Sequence, residues 1–132
     1  MTIASSLLRS LAAAALVLVT ATAASALEKK AWTADGFAAM QAAGQAVVIH
    51  VTAPWCPTCK AQHKVIDDLA GKPELKDVTV LAVDFDSQKD VLRSLNVQSQ
   101  STLVVFKGRQ EVGRSAGDTN EASITALVAK SI

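Results

Sequence analysis

Apolar positions recur along the chain with two different periods. Residues 46–51, Ala-Val-Val-Ile-His-Val, and residues 78–83, Val-Thr-Val-Leu-Ala-Val, are nearly continuous in apolar and β-branched side chains, the pattern of strands buried on both faces. Residues 102–106 predict another such strand. After the turn-forming Lys107, Gly108, Arg109 and Gln110, residues 111–115 return as the second arm of a hairpin. A first strand, short and polar, is predicted over 28–32. Helical spacing fills the intervals. Thr33 or Asp35 is placed to cap a helix that reaches about Ala43 and stops at Gly44. Past the central strand, Val65, Ile66, Leu69 and Ala70 share one helical face until Gly71 and Pro73 intervene. Residues 87–95 turn Val91, Leu92 and Leu95 inward. Beyond Gly117, Asp118 with Glu121 predicts a capping box for a last helix lined by Ile124, Leu127 and Val128. Strands and helices in this order predict an α/β domain, a central mixed β-sheet flanked by helices on both faces.

The first 26 residues do not fit that domain. One charge, Arg9, precedes an apolar run over 11–19, and Ala24-Ser25-Ala26 has the small-x-small form of a signal-peptide cleavage site. Cleavage is expected after Ala26. The run is short for an uncleaved span, which needs about 20 apolar residues, and the absence of a cysteine near the site excludes lipoprotein anchoring. Residues 27–132 then form one small domain in a periplasmic or secreted location. Without Arg9 that segment carries 12 basic and 12 acidic residues. Nothing in this balance points to nucleic acid or an anionic membrane surface.

The candidate chemistry lies in Trp55-Cys56-Pro57-Thr58-Cys59-Lys60, which contains both cysteines of the chain. It follows the buried strand over 46–51 and opens the helix after it. Pro57 suits the first helical position, where a missing N–H costs nothing and a fixed φ is already helical. Cys56 is thereby set at the helix N-terminus. Unpaired amides and the positive end of the helix dipole stabilise a thiolate there, so Cys56 is expected as the exposed, attacking sulfur and Cys59, one turn further in, as the buried one. The spacing lets the two sulfurs exchange between dithiol and disulfide without unfolding the chain. An inert disulfide or half of a zinc site is the plainer alternative.

This segment, with a buried strand before it and an amphipathic helix after it, resembles the active site of the thioredoxin family. The resemblance extends over residues 27–132 and implies the thioredoxin fold. It implies a protein-disulfide oxidoreductase that needs no organic cofactor or metal, acts on protein thiols and disulfides as a monomer, and uses a Cys56–Cys59 redox disulfide. Trp55, Pro57, Thr58, Lys60, Ser101 and Thr102 are the expected surroundings of the pair, and Gly117 matches a glycine that the family keeps near the site. Three positions depart from the family. His50 stands where thioredoxins bury an Asp beneath the inner cysteine, Ala82 replaces the Lys that often pairs with that Asp, and Ser101 replaces a cis-proline.

His50 is expected to be neutral and to accept the Cys59 proton as a general base, although a lone His in an apolar strand is also a common core residue. A non-proline cis bond costs about 3 to 4 kcal/mol, so the bond from Gln100 to Ser101 is expected to be trans. His63, four residues after Cys59, shares its helical face and reads as a partly exposed residue. Asp84, Asp86, Asp67 and Asp68 read as solvated charges without chemistry. Pro57-Thr58 between the cysteines resembles the reductants of cytochrome c maturation, which implies a reducing role with electrons from a membrane thiol transporter. The rival reading is a copper chaperone using Cys56, Cys59 and either His50 or His63, with Ser101 opening the sulfur pair to the metal.

Overall fold

The computed structural model describes residues 26–132, so the expected leader lies outside the described residues except for Ala26. A five-stranded sheet is built from β1 (Glu28–Ala31), β2 (Ala46–Thr52), β3 (Val78–Asp84), β4 (Thr102–Lys107) and β5 (Gln110–Ala116) in the order β1-β3-β2-β4-β5. β1 and β2 each pair parallel with β3, whereas β2 with β4 and β4 with β5 are antiparallel. The central strand β2 is buried from Ala46 to His50 and through Val51. This agrees with its unbroken apolar run, because a strand covered on both faces has no polar side to present. β1 is exposed along its whole length at the sheet edge, as a short polar sequence dictates. The Trp32 amide still extends its ladder, donating to the Ala82 carbonyl at 2.9 Å.

Strand alternation sorts the core into two layers. Val48, Val80, Leu103 and Val105 pack against Val65, Ile66 and Leu69 of α2 (Pro57–Leu69) and against Ile124, Leu127 and Val128 of α4 (Glu121–Ala129). On the opposite face, Val47, Ile49, Val51, Leu81, Val83, Val104 and Phe106 meet Phe37 and Met40 of α1 (Ala34–Ala42) and Val91 and Leu92 of α3 (Lys89–Ser94). Helices therefore cover both faces. A short 3-10 turn, Pro73–Leu75, follows α2. Among the described residues no helix is long and apolar enough to cross a membrane.

Three helix starts refine the sequence reading. Thr33, not Asp35, caps α1, its hydroxyl accepting the Gly36 amide at 3.1 Å. α3 begins two residues later than the apolar spacing indicated, because the Asp84 carboxylate captures the amides of Asp86 and Ser87 and holds them in a turn. The capping box from Asp118 to Glu121 does not form. Asn120 is the N-cap of α4, accepting the Ser123 amide at 3.0 Å, while Asp118 accepts the Asn120 amide in the loop before it. A short polar loop offers several side chains to the same free amides, and local geometry chooses among them. Asn120→Ala should lower stability by about 1 kcal/mol and Glu121→Gln by only a few tenths, as read from urea unfolding of the two variants.

Candidate active site

The two sulfurs lie where the end of β2 runs into α2. Cys56 is the N-cap residue of α2 with extended backbone, Pro57 takes the first helical position, and the Cys56 sulfur accepts the Cys59 amide at 3.1 Å. Cys56 and Cys59 form a disulfide across a Cα separation of 5.3 Å. Thr58 is half-buried, while Pro57 and Lys60 face solvent. Cys59 is held deeper, with its sulfur 4.0 Å from the Val51 carbonyl oxygen.

One expectation fails here: Cys56 is not exposed. It retains 2% of its accessible surface against 1% for Cys59. Ala53 and Phe85 pack against the pair, and the Ser101 hydroxyl covers both sulfurs, 3.0 Å from that of Cys56 and 3.1 Å from that of Cys59. Ser101 thus faces the pair from the loop before β4, where chain order places it. Thr102 begins the strand beside it, buried, its hydroxyl donating to the Ser99 carbonyl at 2.8 Å.

The Ser101 backbone is unusual and firmly held. No peptide bond among the described residues is cis, so the Gln100–Ser101 bond is trans as expected, yet Ser101 has a φ of 58° in the left-handed region. A non-glycine residue rarely occupies that region, and strain of this kind costs about 1 to 3 kcal/mol. Three hydrogen bonds hold it in place. The Ser101 amide donates to the Val51 carbonyl at 2.8 Å, and its own carbonyl accepts from the Gly117 amide and the Gln62 side chain, both at 2.9 Å. Gly117, at a φ of 76°, supplies the tight turn that aims its amide inward.

Gln62 is a site residue that the sequence reading passed over. It is fully buried on the inner face of α2, three residues after Cys59, in a stripe otherwise made of Cys59, Val65, Ile66 and Leu69. A glutamine at core spacing is the signal that would have found it, since a buried amide must find partners. Its Nε2 donates both hydrogens, to the carbonyls of Ser101 and of Asp118 at 2.9 and 2.8 Å. Its oxygen therefore turns toward the His50 Nε2 at 3.0 Å, and that nitrogen carries the ring hydrogen.

His50 sits on the α2 face of β2, opposite Ala82 in the ladder, and is 1% exposed. Burial, then the nearby His63 ring, lower its pKa from 6.5 to about 4, with the Gln62 hydrogen bond pulling weakly the other way. The imidazole is neutral at pH 7, with Nδ1 as its free basic position. Its ring centroid is 4.7 Å from that of His63, an exposed residue whose Nε2 lies 3.2 Å from the Thr52 hydroxyl. A cavity of about 290 Å³ adjoins both rings, bounded by Lys29, Lys30 and the short Ala82. Among the described residues the hydrogen bonds of His50 do not include either sulfur; its link to the pair runs through Gln62 and Ser101.

Asp84 and Asp86, read as plain solvated charges, hold the rim of the site. The Trp55 indole donates to Asp86 at 2.8 Å. Asp84 ties down the same turn, and its carboxyl is held below its ordinary pKa by the Ser87 amide first and the Ser87 hydroxyl next. Phe85 between them touches the sulfur cluster and lies under the Lys89 ammonium, 3.9 Å from the ring centroid. The metal reading finds no such support: the cysteines and histidines do not converge into a group of three or more ligands among the described residues.

Comparison with known proteins agrees with this geometry. The thioredoxin family model matches residues 28–130. A thioredoxin of Chlamydia trachomatis serovar D is 39% identical over 84 residues, which is 64% of this chain and 80% of that protein. The thioredoxin of Chlamydia muridarum is 36% identical over 96 residues, covering 73% of this chain and 91% of the relative. The chain belongs to the thioredoxin family. The crystal structure of Trxlp from Edwardsiella tarda EIB202 superposes with a TM-score of 0.74 at 35% identity, over 76% of this chain and 98% of that one. The protein has the thioredoxin fold and is a thiol-disulfide oxidoreductase with Cys56 and Cys59 as its redox pair. As a thioredoxin-family protein it acts on protein disulfides.

The neutral His50 makes the oxidised protein sensitive to acid. Its folded pKa of about 4 lies below the unfolded value of 6.5, so between them the unfolded chain binds a proton that the folded one does not. Its contribution is fully present above pH 6.5 and is lost as pH falls through that interval to about 4, a loss of about 3 kcal/mol. Urea unfolding at about pH 7 and about pH 4.5 should show the difference, and His50→Gln should flatten it.

Proposed function

We propose that the protein reduces protein disulfides in a periplasmic or extracellular space, that Cys56 is the attacking sulfur, and that Cys59 resolves the mixed disulfide. The observation that carries the assignment of the two sulfurs is the N-cap position of Cys56. The Cys59 amide already donates to its sulfur and the positive end of the thirteen-residue α2 lies behind it, so negative charge is favoured on that atom. Cys59 has no equivalent terminus.

In the first step the Cys56 thiolate attacks one sulfur of a substrate disulfide, forming a mixed disulfide and releasing the other substrate sulfur as thiolate. Exposed Trp55, fixed by Asp86, is the large apolar surface beside the pair against which substrate rests. In the second step Cys59 gives up its proton and attacks the Cys56 sulfur. The Cys56–Cys59 disulfide forms and the second substrate sulfur leaves.

His50 is the proton acceptor in this reading, at Nδ1, because Nε2 already carries the hydrogen given to Gln62 and cannot take one through that link. Its pKa of about 4 belongs to the disulfide form, in which no anion is near; a thiolate developing on Cys59 in the same dry site favours the imidazolium and raises its proton affinity at the moment of transfer. The adjoining cavity and exposed His63 offer that proton a way to solvent. The pair is then reset by a membrane thiol transporter. The leader expected over residues 1–26, cleaved after Ala26, supports that compartment and that partner.

Trapping experiments separate the roles. Cys59→Ser should accumulate mixed disulfides with substrate through Cys56, and Cys56→Ser should accumulate few. In stopped-flow measurements His50→Ala should slow mixed-disulfide decay by about 100-fold while leaving the initial attack nearly unchanged. A decay rate equal to that of the parent would make His50 a packing residue only.

A further inference from the structure

We propose that Ser101 is a catalytic residue of the exchange reaction, its single hydroxyl hydrogen turning between the two sulfurs to donate to whichever one carries the negative charge. This rests on the assignment of Cys56 as attacking and Cys59 as resolving sulfur. It goes beyond that assignment by adding a donor that a proline at the same position cannot provide.

The geometry is specific to such a role. The Ser101 oxygen is nearly equidistant from the two sulfurs, at 3.0 and 3.1 Å, and among the described residues it has no other hydrogen-bond partner. A hydroxyl has one hydrogen to give. The backbone beneath it is fixed by Val51, Gly117 and Gln62 in a left-handed conformation, which sets the hydroxyl over both sulfurs. With the oxygen already within reach of both, rotation about the C–O bond is enough to carry the hydrogen from one sulfur to the other.

In the disulfide both sulfurs are neutral and accept weakly, so the hydroxyl is poorly satisfied although Ser101 is 3% exposed. A thiolate on either sulfur turns the same contact into a charge-assisted hydrogen bond. For attack on the Cys56–Cys59 disulfide the interaction is therefore stronger in the transition state than in the ground state, which is the condition for accelerating that direction of the exchange.

Reduction by a dithiol shows the sequence. A reductant thiolate attacks the Cys56 sulfur, a new S–S bond forms there, the Cys56–Cys59 bond breaks, and its electron pair goes to Cys59, which receives the Ser101 hydrogen bond. The second reductant sulfur, as thiolate, then attacks its own partner in the mixed disulfide, and Cys56 leaves as thiolate. Cys59 takes up the proton that the second reductant thiol gave up, and the hydroxyl turns to Cys56, joining the Cys59 amide as its second donor. Oxidation of the pair by substrate runs the same turn in reverse.

The test is a pH titration of thiolate absorbance on the reduced protein, with alkylation by iodoacetamide assigned to each cysteine by peptide mapping. It compares the parent with Ser101→Ala and Ser101→Gly. Both variants lack the hydroxyl, but glycine relieves the left-handed backbone and alanine does not. In both, the Cys56 pKa should rise by about one unit or more, with about a tenfold loss of alkylation rate below it. A parent in which Cys56 reacts first and neither variant moves its titration overturns the role of Ser101 alone. A shift in the alanine variant only would trace the effect to backbone strain and also overturns it. A parent in which Cys59 is alkylated first overturns the underlying assignment of the sulfurs, a result distinct from the other two.

Discussion

At the first turn of α2 the Cys59 amide donates to the Cys56 sulfur over 3.1 Å, using a hydrogen that no carbonyl inside the helix can accept. The rest of the molecule keeps that contact in place. β2 is the most deeply buried strand and delivers Ala53 and Cys56 to the mouth of the helix, and Pro57 fixes the backbone at its entry. Val65, Ile66 and Leu69 then fasten α2 to the sheet, each contributing about 1.5 to 3 kcal/mol by burial. A helix end anchored this firmly can hold a sulfur at fixed distance from several donors through a full redox cycle.

A second layer of polar contacts runs under the sulfurs. His50, Gln62 and the Ser101 backbone are joined in series, each 3% exposed or less, and the Gly117 amide completes the satisfaction of the Ser101 carbonyl. Where the family places a carboxylate, this protein has an imidazole kept neutral by burial; where the family places a cis-proline, it has a trans serine with a left-handed backbone. The two departures are connected through one glutamine. Its amide is oriented by two carbonyl acceptors and in turn decides which nitrogen of His50 holds hydrogen.

The parts of this picture that depend on neighbours in sequence were legible before the structure. Continuous β-branched runs gave β2, β3 and β4, helical spacing gave the buried faces of α2 and α4, and Pro57 after Cys56 marked the start of α2. Most of what escaped depends on partners far along the chain. Cys56 is covered by Ser101, 45 residues away, so its burial could not be read from a helix N-terminus alone. Gln62 looks like any polar helix residue until Ser101 and Asp118 are brought against it. Asp86 acquires its purpose from Trp55, 31 residues earlier. Asn120 prevailed over Asp118 as a cap through geometry too local for residue type to decide.

These contacts bear on the direction of electron flow. Stabilising a thiolate favours the reduced form and makes a pair more oxidising, and a His50 held cationic throughout would do so strongly; the ring is neutral in the disulfide form. The amide and hydroxyl donors at the sulfurs act more gently, a tenfold change in equilibrium corresponding to about 30 mV. The reduction potential of the Cys56–Cys59 pair, measured against a glutathione redox buffer, therefore tests the central claim of a reducing thiol pair most directly. The predicted value is close to that of thioredoxin, about −270 mV, and a value near −120 mV would contradict the account by marking the protein as an oxidant.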